Sequence, residues 1–297
     1  MRQGGSVVIT GFSKVGVILV NYRDADDTCE CIESLRGSDF QSLEVYVIDN
    51  DSGDGSCEAI GSRCPEAKVI PLSENIGFGG ANNVGMERAF CDGCEAVLLL
   101  NNDTIVDKRT ISVLAEAVDD ATVTVPLMLY FDEPDTVWYG GGHFDHFGIP
   151  RHDHFKEPRI FVDDEPVQVD FATGCCIFIP KHVYERVGGF DESYFLYWED
   201  ADLSLRFAQN DVHILFCPKS VLWHKVSAST GGEGSPFSYY YETRNRLYAI
   251  DKFRLGFKTR LWAYLGLLRG VFSQKPQYEN AFKAWCDYRK HRFGKGL

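Results

Sequence analysis

Two polar turns follow apolar runs that are typical of buried strands. Asp49 comes directly after Val47-Ile48, and Asn101-Asn102-Asp103 follows four apolar residues. A carboxylate at the end of a buried strand can accept hydrogen bonds from a base N–H or a ribose hydroxyl. Hard cations such as Mg²⁺ and Mn²⁺ take oxygen ligands and often bridge phosphates. Taken alone, each turn also fits an Asx turn or a helix cap.

A third cluster carries more carboxylates than the two turns. Glu199, Asp200 and Asp202 open a predicted helix and follow Tyr197 and Trp198. A helix N-terminus tolerates negative charge, so capping is one interpretation of the cluster. The aromatic neighbours could instead desolvate one carboxylate and raise its pKa, which would make it a useful general base.

A glycine-rich segment from Glu74 to Gly85 precedes another predicted helix, and such segments let the backbone approach a phosphate closely. A dinucleotide-binding fingerprint would require Gly where Asn82 stands. A P-loop would require Lys and then Ser or Thr after Gly85, where Met and Glu stand. Both patterns are therefore excluded, and the segment alone predicts only a glycine-rich loop.

His224 lies in a Leu-Trp-His-Lys segment that follows a predicted strand. A single histidine is more often structural than a metal ligand. Because this one follows a strand and the fold could bring it near the acidic turn, we expect that its imidazole can serve as a ligand.

Alternating strands and helices must position these residues. Patterns of buried strands at 15–20, 43–48, 67–70, 96–100 and 122–125 alternate with helical patterns at 24–35, 57–64, 80–90 and 107–118. This order predicts an α/β fold with a parallel, doubly wound sheet, whose ligands bind beyond the carboxyl ends of the strands.

The second half of the chain is less regular. Its patterns predict a hairpin at 137–149, a mobile polar loop at 151–165, a strand at 169–179, a helix from Lys181, a helix at 200–209, a strand at 212–216, a Gly/Ser loop at 227–235 and helices from Pro236 onward. The chemistry-bearing residues of this half therefore lie beside segments whose structure the sequence specifies weakly.

Charge is unevenly distributed along the 297 residues. The net charge is −13, yet 13 basic residues stand against 3 acidic ones from Arg244 onward, which leaves 17 against 40 in the rest. The acidic body argues against nucleic acid as a partner. The basic end would suit an anionic lipid surface or a diphosphate.

Several features bear on the location of the protein. Residues 1–14 lack the pattern of a signal peptide, and the ten cysteines then predict free thiols in the cytoplasm. No uninterrupted apolar run reaches the roughly 18 residues that span a bilayer. We therefore expect a cytoplasmic protein that is soluble or peripheral on the inner face of the membrane.

Taken in order, these segments resemble the family 2 glycosyltransferases with the GT-A fold, especially their rhamnosyltransferase-like branch. The ordered set consists of Asn21-Tyr22, Asp49-Asn50, 75–83, 101–103, Thr173-Gly174, 188–191, 199–203, His224 and 240–245. The resemblance covers most of the chain, from about Val15 to Lys252. It implies a GT-A catalytic domain over 1–235, with a donor half at about 15–125 and an acceptor half at about 126–235, and a helical appendage over 236–297.

The resemblance also implies a role for each matching residue. Donor-binding residues would be Asn21, Tyr22, Asp49, Asn75, Gly77, Gly80, Asn82, Asn102 and Asp103. Asp49 would contact the base, uracil or thymine. Asp103 would be the remaining acid of the family's Asp-x-Asp motif and would ligate Mg²⁺ or Mn²⁺ together with His224. Asn101 at the first position of that motif leaves fewer negative charges at the metal.

For the acceptor side, the resemblance implies that Asp200 is the catalytic base, with Glu199 or Asp202 as the alternatives. Acceptor or diphosphate contacts would come from Thr173, Gly174, Asp191, Trp198 and Arg244. The implied reaction is inverting transfer from dTDP-rhamnose or a UDP-sugar to a glycan or a polyprenyl-diphosphate-linked saccharide.

Three questions stay open at this stage. A sugar-nucleotide nucleotidyltransferase shares a similar core, although it would need a basic Gly-rich loop where Asn21-Tyr22-Arg23-Asp24 stands. A non-catalytic saccharide- or lipid-binding protein is the other alternative. The amphipathic helix predicted at 255–272 fits an anionic membrane surface, packing against the body, or a homodimer interface.

Overall fold

The computed structural model describes residues 11–226, 235–273 and 275–297. Its strands are β1 (Val15–Asn21), β2 (Leu43–Asp49), β3 (Lys68–Pro71), β4 (Ala96–Asn101), β5 (Thr104–Val106), β6 (Thr122–Tyr130), β7 (Val137–Tyr139), β8 (Gly142–Phe144), β9 (Pro150–His152), β10 (Val167–Val169), β11 (Cys176–Pro180) and β12 (His213–His224). Its helices are α1 (Ala25–Leu35), α2 (Ser56–Arg63), α3 (Gly77–Cys91), α4 (Thr110–Glu116), α5 (Lys181–Val187), α6 (Glu199–Gln209), α7 (Pro236–Lys252), α8 (Phe257–Val271) and α9 (Ala281–Arg289). Two 3₁₀ turns cover Arg159–Phe161 and Pro276–Tyr278.

Ten of the described strands form one sheet. The order is β10-β12-β6-β11-β4-β1-β2-β3, with β5 paired to β12 and β7 paired to β6. The pairs β1–β2, β1–β4, β2–β3 and β6–β12 are parallel, whereas β11 runs antiparallel between β4 and β6. The predicted α/β fold with a mostly parallel sheet is confirmed. The departures from a purely parallel, doubly wound sheet are β11 and the short strands β5, β7 and β10, which also pair antiparallel.

The register of the central strands brings the two polar turns to one edge of the sheet. Asn21 lies opposite Asp49, and Val20 lies opposite Asn101. Asp49 and Asn101 therefore end the two strands that flank β1. Because parallel strands share their carboxyl edge, these polar ends open onto the same side of the molecule.

Close packing of α3 on the sheet explains part of the glycine-rich segment. A Cβ on Gly85 would collide with the Ile18 side chain, and a Cβ on Gly16 would lie 2.7 Å from the Ala89 Cβ. The helix can therefore approach β1 only because both positions lack a side chain. It begins at Gly77, earlier than the sequence pattern predicts.

The second half of the chain corrects several predictions. The strand predicted at 169–179 is wrong, because β10 ends at Val169 and β11 begins at Cys176. The strand predicted at 212–216 continues to His224. The polar segment 151–165 contains part of β9 and a 3₁₀ turn, and β8 pairs with β9. Short strands with mixed polarity carry too weak a period for the pattern to locate their ends.

The C-terminal helices form a second apolar cluster against the main core. Leu247 and Ile250 of α7 pack with Ala263 and Leu267 of α8 and with Tyr288 of α9. The predicted loop at 227–235 lies, except for Ser235, outside the described residues. The division at residue 235 therefore stays a prediction. Within the described residues, no helix is both long and apolar enough to cross a membrane.

Candidate active site

A cavity of about 390 Å³ opens beyond the carboxyl ends of β1, β2 and β4. Five of the predicted donor-binding residues line it: Tyr22, Asn75, Gly77, Asn102 and Asp103. Residues that the sequence did not assign to a site also line it, among them Asp24, Asn50 and Phe195. We call this space the donor cavity, after the role predicted for these residues.

Asp103 and His224 meet on one wall of the donor cavity. Strand β12 pairs antiparallel with β5, so that His224 lies opposite Thr104, next to Asp103. The His224 Nε2 atom and the Asp103 Oδ1 atom are 3.1 Å apart, and both side chains are buried. The Trp138 ring packs edge-on against the imidazole at 4.4 Å and fixes its orientation. The fold thus produces the pair that the sequence could only suggest.

The surroundings of this pair favour the protonated form of His224. Burial lowers the pKa of His224, but Cys175 and Asp103 outweigh it and raise that pKa to about 10. The His224 Nδ1 atom is buried without a hydrogen-bond partner among the described residues. A metal ion would need the neutral imidazole and would displace its proton. Among the described residues, no cluster of three or more His, Cys, Asp or Glu side chains forms a metal site.

Asp49 and Asn21 lie behind the wall of the donor cavity. The Asp49 carboxylate accepts hydrogen bonds from Asn21 Nδ2 at 2.6 Å, from Ser52 N at 3.0 Å and from Ser52 Oγ at 2.6 Å. The Asn21 Oδ1 atom accepts a bond from Thr28 Oγ1 at 2.9 Å. Asp49 therefore supports the turn after β2, and direct contact with a base would require these bonds to be exchanged.

Two further predicted donor residues belong to α3 and its packing. Asn82 donates to the Phe78 carbonyl at 3.0 Å and is buried. Gly80 packs against the Ile76 side chain, and a Cβ there would lie 3.2 Å from it. Neither residue lines the donor cavity. Instead, Asn50 lines it and holds the start of α3, accepting from Ile76 N at 3.0 Å.

A second cavity, of about 550 Å³, lies between α6, β9 and the helices α7 and α8. Trp198, Glu199 and Asp200 line it, as do Arg246 on α7 and Leu267 on α8. We call it the acceptor cavity. It brings together Asp200, Glu199 and Trp198 of the predicted acceptor-side residues.

The two carboxylates of the acceptor cavity differ in their surroundings. Asp200 accepts hydrogen bonds from Gly174 N at 3.1 Å and from Ala201 N at 2.8 Å. Burial raises the pKa of Asp200, and these two N–H groups partly oppose the shift because they stabilise the ionised form. Burial and the charges of Asp200 and Asp202 raise the pKa of Glu199 to about 8, and its Oε2 atom has no partner among the described residues. Near neutral pH, Glu199 of this pair is therefore a neutral acid.

Asp202, the other alternative base, lies outside the acceptor cavity. Its side chain is fully buried and accepts from Tyr194 Oη at 3.0 Å and from Arg206 Nε at 2.6 Å, and it also pairs with Lys252. These contacts satisfy both carboxylate oxygens. The geometry favours Asp200 over Asp202 as the base, and Asp202 joins α6 to α7.

A strained turn joins the two cavities. Phe195, Tyr197 and Trp198 have φ angles of 65°, 64° and 74°, which non-glycine residues rarely adopt. Tyr197 lines both cavities. The Asn245 Nδ2 atom contacts the carbonyls of Tyr194, Leu196 and Tyr197 at 2.9, 2.7 and 2.8 Å. The strained backbone conformation of residues 194–198 is therefore stabilised by the hydrogen bonds that Asn245 of α7 donates to their carbonyls.

Arg244 belongs to the same support. Its guanidinium is fully buried and donates to the Gly294 carbonyl at 2.7 Å and to the Tyr194 carbonyl at 2.9 Å. It lines neither cavity. The structure thus places Arg244 in the support of residues 194–198 and outside both cavities.

Asp191 and Thr173, also predicted as acceptor-side residues, lie outside both cavities. Asp191 accepts from Lys252 Nζ at 2.7 Å and from Tyr248 Oη at 3.0 Å, which ties it to α7. Thr173 is buried, and its neighbour Gly174 reaches the site only through the backbone N–H that Asp200 accepts. A sequence motif shows which residues recur together, but it does not separate contact residues from supporting ones.

Comparison with known proteins decides the family. The model of glycosyl transferase family 2 matches residues 16–188, more than half of the chain. The chain belongs to glycosyl transferase family 2. The sheet edge that carries the donor cavity lies largely within the matched residues, whereas Glu199, Asp200 and His224 follow them.

Curated relatives of this glycosyltransferase carry rhamnosyl- and hexosyltransferase names. It is 24% identical to an N-acetylglucosaminyl-diphospho-decaprenol L-rhamnosyltransferase of Mycobacterium tuberculosis over 80% of the chain and 84% of the relative. It is 23% identical to the low-salt glycan biosynthesis hexosyltransferase Agl10 of Haloferax volcanii over 91% and 88%. These relatives confirm the predicted rhamnosyltransferase-like branch and the glycosyltransferase activity.

Solved structures confirm the GT-A fold. GalNAc-T7 with UDP, GalNAc and Mn²⁺ superposes with a TM-score of 0.67 at 17% identity, covering 93% of this chain and 54% of that one. This glycosyltransferase therefore spans about half the length of that protein. The mannosyltransferase PcManGT of Pyrobaculum calidifontis, with GDP-Man and Mn²⁺, gives a TM-score of 0.58 at 16% identity, covering 98% and 86%.

Membership of the family bears on the two alternatives to a glycosyltransferase that the sequence left open. The family and the named relatives support glycosyltransferase activity over the nucleotidyltransferase and the non-catalytic alternatives. The sequence did not single out Asp24, Phe195 or Arg246 of this glycosyltransferase as site residues, although all three line the cavities. Asp24 also caps α1, because its carboxylate accepts from Asp27 N.

Proposed function

We propose that this chain is an inverting, metal-assisted glycosyltransferase that moves a sugar from a nucleotide-diphosphate donor to a lipid-linked saccharide. The observation that carries the proposal is the arrangement of the two cavities around Tyr197. One cavity holds the Asp103–His224 pair, and the other holds a buried carboxylate with a raised pKa. A donor and an acceptor bound in these cavities would meet at the shared turn.

Asp200 is the residue best placed to act as the base. Its carboxylate faces the acceptor cavity, and two backbone N–H groups fix its orientation. It would take the proton from the acceptor hydroxyl as the hydroxyl attacks the anomeric carbon. A single displacement inverts that carbon and needs no protein nucleophile. Neutral Glu199 beside it would add no second negative charge near the attacking oxygen.

The residues at the donor cavity fit a divalent cation with few protein ligands. Asp103 supplies a carboxylate and His224 an imidazole, and the donor's diphosphate and water would complete the coordination. When bound, Mg²⁺ or Mn²⁺ would neutralise charge on the departing nucleotide diphosphate. Two structural neighbours, GalNAc-T7 and PcManGT, were solved with Mn²⁺.

We expect Asp103→Ala to weaken metal-dependent binding of a nucleotide diphosphate by at least about 10-fold, since it removes the carboxylate ligand. Isothermal titration calorimetry of UDP, dTDP and GDP with Mn²⁺ measures this. With EDTA in place of the metal, wild type and variant should bind the nucleotide equally. Equal affinities in the presence of metal would refute the ligand role of Asp103.

The donor and acceptor are proposed from chemistry shared with the relatives. dTDP-rhamnose and the UDP-sugars are the first candidates for the donor, because relatives carry rhamnosyltransferase and galactofuranosyltransferase names. One relative is named for a diphospho-decaprenol acceptor. A thermal-shift screen of nucleotide-sugars with Mn²⁺ and Mg²⁺ identifies the donor, and a transfer assay with that donor tests the reaction. If no donor shifts the melting temperature and none is hydrolysed or transferred, the proposal fails.

Helix α8 carries an apolar stripe that would suit a membrane surface. Phe257, Leu261, Leu265, Leu268 and Phe272, at the helix and its end, are 78%, 47%, 50%, 49% and 81% exposed. Their spacing places them on one face, and the chain from Arg244 onward is strongly basic. An apolar face flanked by basic residues binds the interface of an anionic bilayer. We therefore propose peripheral attachment through α8.

Liposome flotation at low salt tests this attachment. We expect the protein to float with vesicles that contain anionic lipid, and the double variant Leu265→Glu/Leu268→Glu to lose about 10-fold or more in binding. The matched control is Ile160→Glu/Val167→Glu, which makes the same change at residues 85% and 53% exposed elsewhere on the surface. Absence of flotation would remove the idea. If the α8 variant instead turned a dimer into a monomer, the stripe would be a homodimer interface.

A further inference from the structure

Arg246 faces the acceptor cavity from one side of α7. The cavity-lining residues of this helix are Tyr239, Glu242, Thr243, Arg246 and Leu247, whose spacing of three and one places them on a single helical face. Arg244, two residues earlier, points away and is bound by backbone carbonyls. The two arginines therefore serve different ends, although they lie side by side in the sequence.

The guanidinium of Arg246 is poorly satisfied. Its Nε and Nη2 atoms are buried, and neither has a hydrogen-bond partner among the described residues. Burial lowers the pKa of Arg246, as expected for a cation without a close counter-charge. Leaving buried guanidinium donors unpaired costs free energy, which a bound anion would recover.

The nearby Asp145 carboxylate does not pair with the Arg246 guanidinium. Asp145 attracts Arg246, but its oxygens are taken by Phe147 N at 2.8 Å, Ile149 N at 3.0 Å and Arg151 Nε at 3.1 Å. Arg151 also lines the cavity and adds a second positive charge near Arg246. The two charges that act most strongly on Arg246 are therefore those of Arg151 and Asp145, and the Asp145 carboxylate already carries three hydrogen bonds.

Helix α8 connects the acceptor cavity with the exposed apolar stripe. Ala263, Gly266 and Leu267 line the cavity on the inner face of α8, and Leu265 and Leu268 are exposed on its outer face. A ligand with a phosphate at Arg246 and an apolar chain could thus leave the cavity along this helix. Planar guanidinium groups match phosphate oxygens with two parallel hydrogen bonds.

We propose that Arg246, assisted by Arg151, is the subsite that binds the phosphate or diphosphate of the acceptor. The assignment of the bound anion to the acceptor rests on the proposed function. The binding of an anion at Arg246 does not depend on it. The anion would hold the acceptor by its phosphate while the sugar hydroxyl lies toward Asp200 in the same cavity. A lipid-linked diphosphate and a free sugar phosphate offer the same chemistry to Arg246.

Direct binding tests the site without any reaction. Inorganic pyrophosphate is titrated into the metal-free protein at low ionic strength, so that the donor cavity lacks its cation. We expect one site in wild type, at least 10-fold weaker binding in Arg246→Gln, and an intermediate loss in Arg246→Lys, which keeps the charge but not the planar fork. Arg254→Gln is the matched control, because Arg254 is exposed and lines neither the donor cavity nor the acceptor cavity. If wild type binds no pyrophosphate, or if all variants bind it equally, the proposal is wrong.

Transfer kinetics then show whether the site serves the acceptor. Three acceptors with the same sugar are compared: a short-chain polyprenyl diphosphate, a sugar diphosphate without lipid, and a neutral alkyl glycoside. Arg246→Gln should raise the KM of both diphosphates at least 10-fold and leave the neutral acceptor, the pH profile and donor hydrolysis unchanged. A raised KM for the lipid-linked diphosphate alone would assign the site to the lipid. An equal loss of transfer to all three acceptors would mean that Arg246 has a structural role and is not an anion-binding residue. Absence of any transfer, with pyrophosphate binding intact, would reject the proposed function and keep the anion site.

Discussion

Asp200→Asn is expected to lower the rate of sugar transfer by about 10²–10⁴-fold and to leave binding of the nucleotide diphosphate unchanged. The amide cannot take the acceptor proton, whereas the donor cavity does not include residue 200. The amide oxygen can still accept from Gly174 N, whereas the bond from Ala201 N is lost with the second carboxylate oxygen. Transfer rates with saturating substrates, together with calorimetry of the nucleotide, measure both quantities. Retained turnover would contradict the assignment of Asp200 as the base.

The neighbouring acid provides the control. Burial and the charge of Asp200 keep Glu199 protonated near neutral pH, so Glu199→Gln preserves both its shape and its charge. We expect Glu199→Gln to stay within about 10-fold of wild type. If Glu199→Gln abolished transfer while Asp200→Asn did not, the base would be Glu199.

The same pair determines the pH dependence. A base must be ionised, so activity is lost as the pH falls through the pKa of Asp200. Burial raises that pKa, and the acid limb of the profile should therefore lie above 3.8, the ordinary value of an aspartate. Because the two carboxyls interact, the limb reports the titration of the pair. A wild-type acid limb at or below the ordinary value would show that burial does not raise the pKa of the base.

Gly77→Ala is expected to destabilise the protein by about 2–5 kcal/mol and to abolish transfer. The residue has a φ of 84°, where an L-residue costs about 1–2 kcal/mol. Its new Cβ would also lie 2.8 Å from the Phe195 carbonyl carbon and closer still to the oxygen, and such overpacking adds about 1–3 kcal/mol. Relief of the clash must move either the start of α3 or the turn at 194–198. Urea denaturation and transfer assays measure the two effects.

Gly55→Ala separates the backbone cost from the clash. Gly55 has a φ of 89°, and a Cβ there would meet nothing within 4 Å. This control should lose only about 1–2 kcal/mol and retain transfer. Equal losses of stability in the two variants would mean that the close contact between Gly77 and Phe195 does not contribute to the destabilisation.

The sheet and its polar edge were predictable because buried parallel strands have a strong signature. Continuous apolar runs located β1, β2 and β4, and the polar residues that end them had to meet at one edge. The second half was not predictable in this way. β10 pairs with β12, whereas β11 lies between β4 and β6, and a loop separates the two strands. No period in the sequence indicates that the Gly174 N–H should face Asp200.

Roles inside the site were harder to predict than its location. Arg244 and Arg246 differ by two residues, which on a helix places them on different faces, yet only the packing of α8 and α9 shows which face meets the cavity. Asp49 shows the same limit. The sequence placed it at a ligand edge, but the fold directs its oxygens to Ser52 and Asn21. Side-chain direction depends on contacts between distant segments, which local patterns do not contain.

The turn at 194–198 is a wall that the two cavities share. The Phe195 carbonyl accepts from Phe78 N at 2.8 Å beside the donor cavity, and Tyr197 faces both cavities. Any shift of this turn on donor binding therefore changes the shape that the acceptor meets. Such coupling is reciprocal, so the acceptor must alter donor affinity by the same factor. A strained backbone held by Asn245 and Arg244 can thus couple the two cavities without a separate lid.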